Sequence, residues 1–188
     1  VRSKFFWFLV TVAVIIAVAI SIPHWLWLKA PEYGLKIAVI SKTVPFKNYR
    51  DHRGLFWLLI HNKIVDPAES DLTKSYSLTT DYYGYHPVKP PKEYFTDTLE
   101  PDMFSDRDAL IITDTYGVYR DDFAQFPEQD YAATRTSPKI YGGLDVAEMD
   151  AIEKFAATNK LIVAEFNTFA SPTQMDVRMR AEKLLGVT

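Results

Sequence analysis

The sequence predicts an α/β domain, with a parallel sheet between two layers of helices, that follows one transmembrane helix. Residues 5–22 are uncharged and apolar except for Thr11 and Ser21, which indicates the membrane helix. After them, three short runs rich in β-branched residues alternate with segments of helical periodicity. This alternation of strands and helices is typical of βαβ units and therefore of a parallel sheet.

Residues 5–22 form the predicted membrane anchor. As a helix this segment is about 27 Å long, which is enough to cross the hydrocarbon layer of a bilayer. Arg2 and Lys4 precede the apolar run, whereas the first acidic residue is Glu32. The positive-inside rule then predicts a single-pass protein with a cytoplasmic N-terminus and an extracytoplasmic main domain.

The end of the anchor leaves one alternative open. Pro23 is predicted to end the helix, and Trp25 and Trp27 follow at the depth that indole rings favour. However, residues 17–19 (Ala-Val-Ala) also resemble the small-x-small cleavage site of a signal peptide. The sequence favours a retained anchor because the apolar run extends past that site.

Residues 1–29 are therefore assigned to a cytoplasmic stub and anchor, and residues 30–188 to one extracytoplasmic domain. The second segment holds 18 basic and 24 acidic residues, a formal charge of −6, which argues against nucleic acid or anionic lipid as a major partner. The chain has no cysteine, so disulfides and thiol chemistry are excluded. It begins with Val1, and residues 187–188 suit the start of a further strand, so we expect a fragment or an unusual start codon.

The first half of the domain gives one clear strand and one clear helix. Residues 35–41 read as a buried strand, and Asp51 is placed to cap a helix that ends near Asn62. Residues 64–107 are rich in turn formers and predict a long irregular excursion that contains at most one short strand.

The second half alternates more regularly. Residues 108–113 and 160–166 read as strands, separated by an irregular stretch, 118–143, and by a helix that opens at an Asp145/Glu148 capping box. The last helix is predicted from three start signals and one stop signal: Ser171 as N-cap, Pro172 at the first position, Gln174 at the third and Gly186 after the end.

A family resemblance rests on residues 141–166. This segment contains Tyr141-Gly142-Gly143-Leu144, an acidic helix start and a strand that leads to the stretch Glu165-Phe166-Asn167-Thr168. Together with residues 35–45 and the remainder of 108–188, it resembles the class I glutamine amidotransferase-like fold, especially its trehalose-utilisation-like members. The resemblance implies a flavodoxin-like three-layer domain.

The same resemblance implies no amidotransferase activity. In that fold the elbow after this strand carries a cysteine nucleophile activated by a histidine. Residues 165–168 contain no cysteine, and no histidine follows His86. A serine elbow of the G-x-S-x-G type is also absent. The domain is therefore predicted to be non-catalytic.

Candidate binding residues follow from the rule that ligands of a parallel sheet bind outside the carboxyl ends of its strands. The predicted ligand-binding residues are Ser41, Lys42, Thr43, Asp114, Tyr116, Tyr119, Glu165 and Asn167. Asp114 and Glu165 are also candidates for a catalytic acid and base. The alternative is structural: Asp114 caps a turn and Glu165 pairs with a basic residue. The histidine spacing predicts no metal site, and no motif predicts a cofactor.

Three functions remain open from the sequence. The leading hypothesis is a membrane-anchored, non-catalytic domain that binds a partner protein or an envelope glycan. The alternative is a hydrolase of envelope carbohydrate that uses Asp114 and Glu165, with the tyrosines as a platform, because the predicted strand-end face is acidic and aromatic. The third is a subunit of a larger envelope assembly.

Overall fold

The fold was obtained as a computed structural model, which describes residues 2–67, 75–123, 137–169 and 171–187. Parts of both predicted irregular stretches, namely 68–74 and 124–136, and Thr188 of the predicted further strand lie outside the described residues. The described chain divides into two compact units, residues 1–33 and 34–188.

The first unit is essentially one helix, α1 (Arg2–Lys29). Its mean hydropathy is 2.8 over the most apolar window, so it is long and apolar enough to cross a membrane. The prediction that Pro23 ends the helix is wrong, because Pro23 lies inside α1. Proline has no amide hydrogen to donate, so one helical hydrogen bond is missing at this position, yet the helix continues to Lys29.

The second unit is a mixed α/β domain with a mostly parallel sheet. Its strands and helices are β1 (Tyr33–Gly34, at the boundary of the units), β2 (Ile37–Ser41), α2 (Arg50–His61), β3 (Ile64–Val65), β4 (Tyr83–Lys89), β5 (Glu93–Thr96), β6 (Ala109–Asp114), β7 (Val118–Tyr119), β8 (Lys139–Tyr141), α3 (Val146–Ala156), β9 (Leu161–Ala164) and α4 (Met175–Leu185). Two short 3₁₀ helices, Arg120–Phe123 and Phe166–Phe169, complete the described elements.

The central sheet has the order β5-β4-β2-β6-β9. Strand β2 pairs in parallel with β4 and β6, and β6 pairs in parallel with β9. Only β5 is antiparallel, as the partner of β4. The carboxyl ends of β2, β6 and β9 consequently lie at one edge of the sheet, which is the geometry that the candidate binding residues require.

Alternate residues of β2 enter two separate core clusters. Ala38 and Ile40 pack with buried residues of α3 and α4, while Ile37 and Val39 pack with Phe56 and other residues of α2. A strand presents successive side chains to opposite faces, so β2 is buried on both sides. This explains why residues 35–41 read as a continuous apolar run.

The predicted excursion contains three described strands, β3, β4 and β5, and not at most one short strand, and the longest of them is β4. It lies within the predicted excursion 64–107, yet it pairs with β2 through Ile40 and Tyr83. Gly84 and Pro87, which suggested turns, are both inside this strand. Gly84 has a φ of +155°, and a side chain there would collide with the carbonyl oxygen of Ser41. Tertiary packing therefore overrides the local turn signal.

Two of the three predicted N-caps, Asp51 and Ser171, are wrong. The N-cap of α2 is Tyr49, two residues before Asp51, so Asp51 lies within the first turn, and the Arg50 amide donates to the side chain of Asn48 over 3.2 Å. Helix α4 begins at Met175 with Gln174 as its cap. Residues 171–173 form a turn and a bend instead. The Thr173 hydroxyl there accepts a hydrogen bond from the Leu144 amide.

Two other helix signals are confirmed. The Asp145 side chain accepts a hydrogen bond from the Glu148 amide over 2.8 Å, and the Glu148 side chain accepts one from the Asp145 amide over 2.9 Å. Gly186 ends α4 with a φ of +68°, the left-handed conformation that glycine adopts readily.

Candidate binding cleft

The strand-end loops are tied together by the carboxylate of Asp114. The Thr43 hydroxyl and the Tyr116 amide donate to one of its oxygens over 2.6 and 2.7 Å, and the Asn167 amide group donates to the other over 2.7 Å. The Gly117 amide donates in turn to the Thr43 hydroxyl. Asp114 thus joins the loops that follow β2, β6 and β9.

Glu165 lies near this network but outside it. The residue is exposed overall, but partial desolvation of its carboxyl group and the charge of Asp114 raise the pKa of Glu165 above the ordinary value. The rings of Tyr116 and Tyr119 lie 4.9 Å apart on the neighbouring loop. The structure therefore brings six of the eight predicted residues to one region: Thr43, Asp114, Tyr116, Tyr119, Glu165 and Asn167.

Close backbone contact fixes the loop after β6 against the loop after β8. Gly117 and Gly142 both have positive φ angles, and a side chain on either would collide with backbone atoms of the other loop. The Gly143 amide also donates to the Thr115 carbonyl over 2.7 Å. Glycine is therefore required at both contact points, which hold Gly142 and Gly143 at the carboxyl ends of the strands.

Lys42 is directed away from Asp114, into a cleft of about 690 Å³. We call this space the Lys42 cleft. Its walls come from the chain after β5, from β8 with the glycine turn that follows, from the start of α3 and from the chain before α4. The side chains that line it include Lys42, Thr96, Asp97, Thr98, Lys139, Tyr141, Asp145, Glu148 and Gln174.

The base of the cleft is a buried ion pair. Lys42 and Glu148 are 3% and 5% exposed, and the Lys42 amine lies 2.5 Å from both carboxylate oxygens. The amine also donates to the Gly143 carbonyl over 2.6 Å. Burial lowers the pKa of Lys42, although the charge of Glu148 opposes this effect. The two charges compensate each other before any ligand enters.

Local sequence explains how Glu148 reaches this position. Asp145 and Glu148 form the capping box of α3, so the carboxylate of Glu148 is directed back toward the first turn of its own helix. Lys42 follows the last residue of β2 and extends from the sheet edge toward the same turn. The sequence suggested only the capping role of Glu148, because its ion pair joins residues 106 positions apart.

Tyr141 forms the aromatic wall of the cleft. The Lys42 amine lies 4.9 Å from the centre of its ring, a cation–π distance. Burial raises the pKa of Tyr141, and the charge of Glu148 adds to the effect, so the phenol remains a hydrogen-bond donor. Tyr141 was part of the family resemblance but was not predicted as a binding residue.

Asp97 connects the cleft to a second cavity of about 350 Å³. Its carboxylate lies 2.6 Å from the His86 ring and accepts a hydrogen bond from the Gly84 amide. Burial acts to raise the pKa of Asp97, but these hydrogen bonds outweigh it and hold the pKa below the ordinary value. Neither residue was predicted, because β4 itself was not.

The arrangement is suited to binding polar groups. The cleft combines hydroxyls, amides, one aromatic ring and the charged side chains of Asp97, Lys139 and Asp145 over the buried ion pair. The predicted binding residue Ser41 does not line the cleft, and its buried hydroxyl has no hydrogen-bond partner among the described residues. Within the same described part of the chain, no three His, Asp or Glu side chains are grouped to hold a metal ion.

Comparisons of this chain with protein-family models, with curated proteins and with solved structures found no match.

Proposed function

We propose that this chain is a membrane-anchored, non-catalytic domain that binds a polar ligand of the cell envelope in the Lys42 cleft. The observation that carries the proposal is the cleft itself, which is about 690 Å³ in volume and has a buried ion pair at its base. Small-molecule sites commonly have volumes of roughly 300–1,000 Å³ and a few convergent polar groups.

The mixed polar lining favours a hydroxyl-rich ligand such as an envelope glycan. Lys42 and Glu148 already neutralise each other, so neither presents an unpaired charge to a ligand. Thr96, Thr98 and Gln174 supply hydroxyl and amide groups that both donate and accept hydrogen bonds. Tyr141 adds an aromatic wall, although aromatic side chains serve protein interfaces as well. A partner protein is therefore the second ligand class to test.

We further propose that the domain has the flavodoxin-like, amidotransferase-like arrangement. The support is the parallel order β4-β2-β6-β9, which corresponds to the first four positions of the flavodoxin order, and the core clusters on both faces of β2. In such sheets the cleft beside the switch point is the usual binding site, and Lys42 follows the strand at that point.

Membrane anchoring through α1 and an extracytoplasmic position of the domain are part of the same proposal. Support comes from the length and apolar composition of α1, and from Arg2 and Lys4 at its N-terminal end. A cleaved signal peptide would have the same composition, so whether α1 is retained or cleaved requires its own experiment.

The experiment for the proposed ligand is binding of the detergent-solubilised full chain to an array of neutral, acidic and amino-sugar oligosaccharides. We expect retention of at least one glycan class by the wild-type chain and its loss with Gln174→Ala combined with Thr98→Ala. Lys92→Ala, an exposed change outside the cleft, is the matched control and should bind normally. Retention that is unchanged by the cleft variant would refute the site.

A carbohydrate hydrolase remains the second candidate, on the observation that the pKa of Glu165 is raised beside Asp114. A raised pKa suits a general acid. However, three hydrogen bonds already engage the Asp114 carboxylate, which favours a structural role. Release of reducing sugar from envelope polysaccharide by the wild type but not by Glu165→Gln would favour hydrolysis over binding.

A further inference from the structure

We propose that the outer surface of α2 contacts the headgroup layer of the bilayer, so that the domain has a second membrane contact besides its anchor. We define this α2 surface by Arg50, Arg53, Trp57 and Leu58. The inference rests on the proposed anchoring through α1, and its chemistry is that of an anionic lipid surface.

Helix α2 exposes two large apolar side chains beside two arginines on its outer side. The inner side buries Phe56 and Leu59 in the core, as an amphipathic helix does. On the outer side, Trp57 is 59% exposed and Leu58 is 50% exposed. A Trp and a Leu exposed next to each other on a helix are typical of segments that lie in a membrane interface.

Basic residues outnumber acidic ones in the segment that contains this surface. Residues 46–63 contain four basic residues, Lys47, Arg50, Arg53 and Lys63, and only one acidic residue, Asp51. The whole segment 30–188 carries a charge of −6, and this net charge predicts no anionic partner. The local distribution of charge revises that expectation, because anionic headgroups interact with nearby cations within about one Debye length, roughly 8 Å.

The edge strand β9 also exposes apolar side chains on the face of the sheet that α2 covers. Leu161 and Val163 of β9 are 62% and 43% exposed. Their partners in β6 are Ala109 and Ile111, both of which pack in the core cluster of α2. Leu161 and Val163 therefore face the α2 side of the sheet, and both remain largely uncovered there.

A short covalent segment joins the domain to the anchor. The Leu35 amide donates to the Val65 carbonyl over 3.0 Å, and α2 ends at His61, four residues before Val65. Only residues 30–34 separate α1 from Leu35, and five extended residues span at most about 20 Å. A domain held by so short a segment meets the same bilayer at a high effective concentration.

The absence of cysteine from the sequence permits a direct test with one introduced label. Gly54→Cys places an environment-sensitive fluorophore on the outer side of α2, where a side chain meets nothing within 4 Å. Lys183→Cys on α4, also exposed, is the matched control. The full chain is reconstituted in vesicles of phosphatidylcholine with phosphatidylglycerol, and quenching by aqueous iodide is measured.

We expect the label at position 54 to emit at shorter wavelength and to be several-fold less accessible to iodide than the label at position 183. Replacement of the exposed pair, Trp57→Ser with Leu58→Ser, should abolish this protection. Equal accessibility of the two labels would overturn the proposal. So would protection that appears only at high protein-to-lipid ratio, since that result would indicate contact between two copies of the chain.

Flotation of the same vesicles separates this proposal from the anchoring on which it rests. A chain that floats with the vesicles while the label at position 54 stays accessible would refute the α2 contact alone. A chain that does not float would refute the anchor and, with it, the α2 contact.

Discussion

At the scale of single residues, the Lys42–Glu148 pair decides the character of the cleft. Both groups are almost fully buried, so removal of one leaves the other charged and unpaired. We expect Lys42→Met to lower the free energy of unfolding by about 3–5 kcal/mol, measured by urea denaturation of the solubilised chain.

The double variant Lys42→Met with Glu148→Gln provides the control for this prediction. It removes both charges, so we expect it to recover a substantial part of the lost stability, because no unpaired charge is then buried. If the double variant were destabilised by the sum of the two single changes, the pair would not be coupled as described.

Glu165 gives a prediction about pH. Its folded-state pKa is raised, so the folded state favours the protonated form, and the stabilisation is complete below the unfolded pKa and lost as the pH rises through the folded pKa. We therefore expect Glu165→Gln to raise the melting temperature at pH 7, and the difference to disappear at pH 4. Thermal unfolding of both proteins at the two pH values measures this, and a lower melting temperature at pH 7 would contradict it.

At the scale of elements, the capping box of α3 positions one wall of the cleft. Asp145→Ala removes the cap and the acceptor for the Glu148 amide, and such losses typically cost about 1 kcal/mol. Asp145→Asn retains a side-chain acceptor and should cost much less. Urea denaturation of both variants tests the prediction, and equal losses would show that the cap is unimportant.

Sequence predicted those elements whose signals are local. The strands within residues 35–41, 108–113 and 160–166, the capping box and the glycine at the end of α4 all depend on neighbouring residues, and all are confirmed. Strand β4 and the start of α4 depend on distant partners. Ser41 pairs with Gly84, and Leu144 bonds to Thr173, and the two residues of each pair are tens of positions apart in the sequence. No local sequence pattern can therefore predict these contacts.

The candidate site likewise contains some residues that local signals predicted and others that depend on distant contacts. Parallel topology was enough to expect Asp114 and Asn167 together, because both follow strands of one sheet. The cleft itself is built from β5, β8 and the chain before α4, which the sequence did not place. Its lining residues Asp97 and Lys139 could therefore not be selected, whereas Lys42 could.

At the scale of the whole molecule, the fate of α1 determines where the domain works. From the proposed anchoring through α1, we expect the full-length chain to remain in the membrane pellet after alkaline carbonate extraction. Intact mass measurement of the pelleted protein is the check. A protein that lacks its first residues and appears in the supernatant would identify α1 as a signal peptide.

The central claim is that the membrane-held chain binds its ligand in the Lys42 cleft. The most direct measurement is photo-crosslinking in native membranes, with benzoylphenylalanine in place of Tyr141 in one sample and in place of Lys92 in the other. We predict an adduct of defined mass at position 141 that is absent at position 92, with a small mass increase for a glycan and a large one for a protein. Equal labelling at both positions, or none at position 141, would contradict the claim.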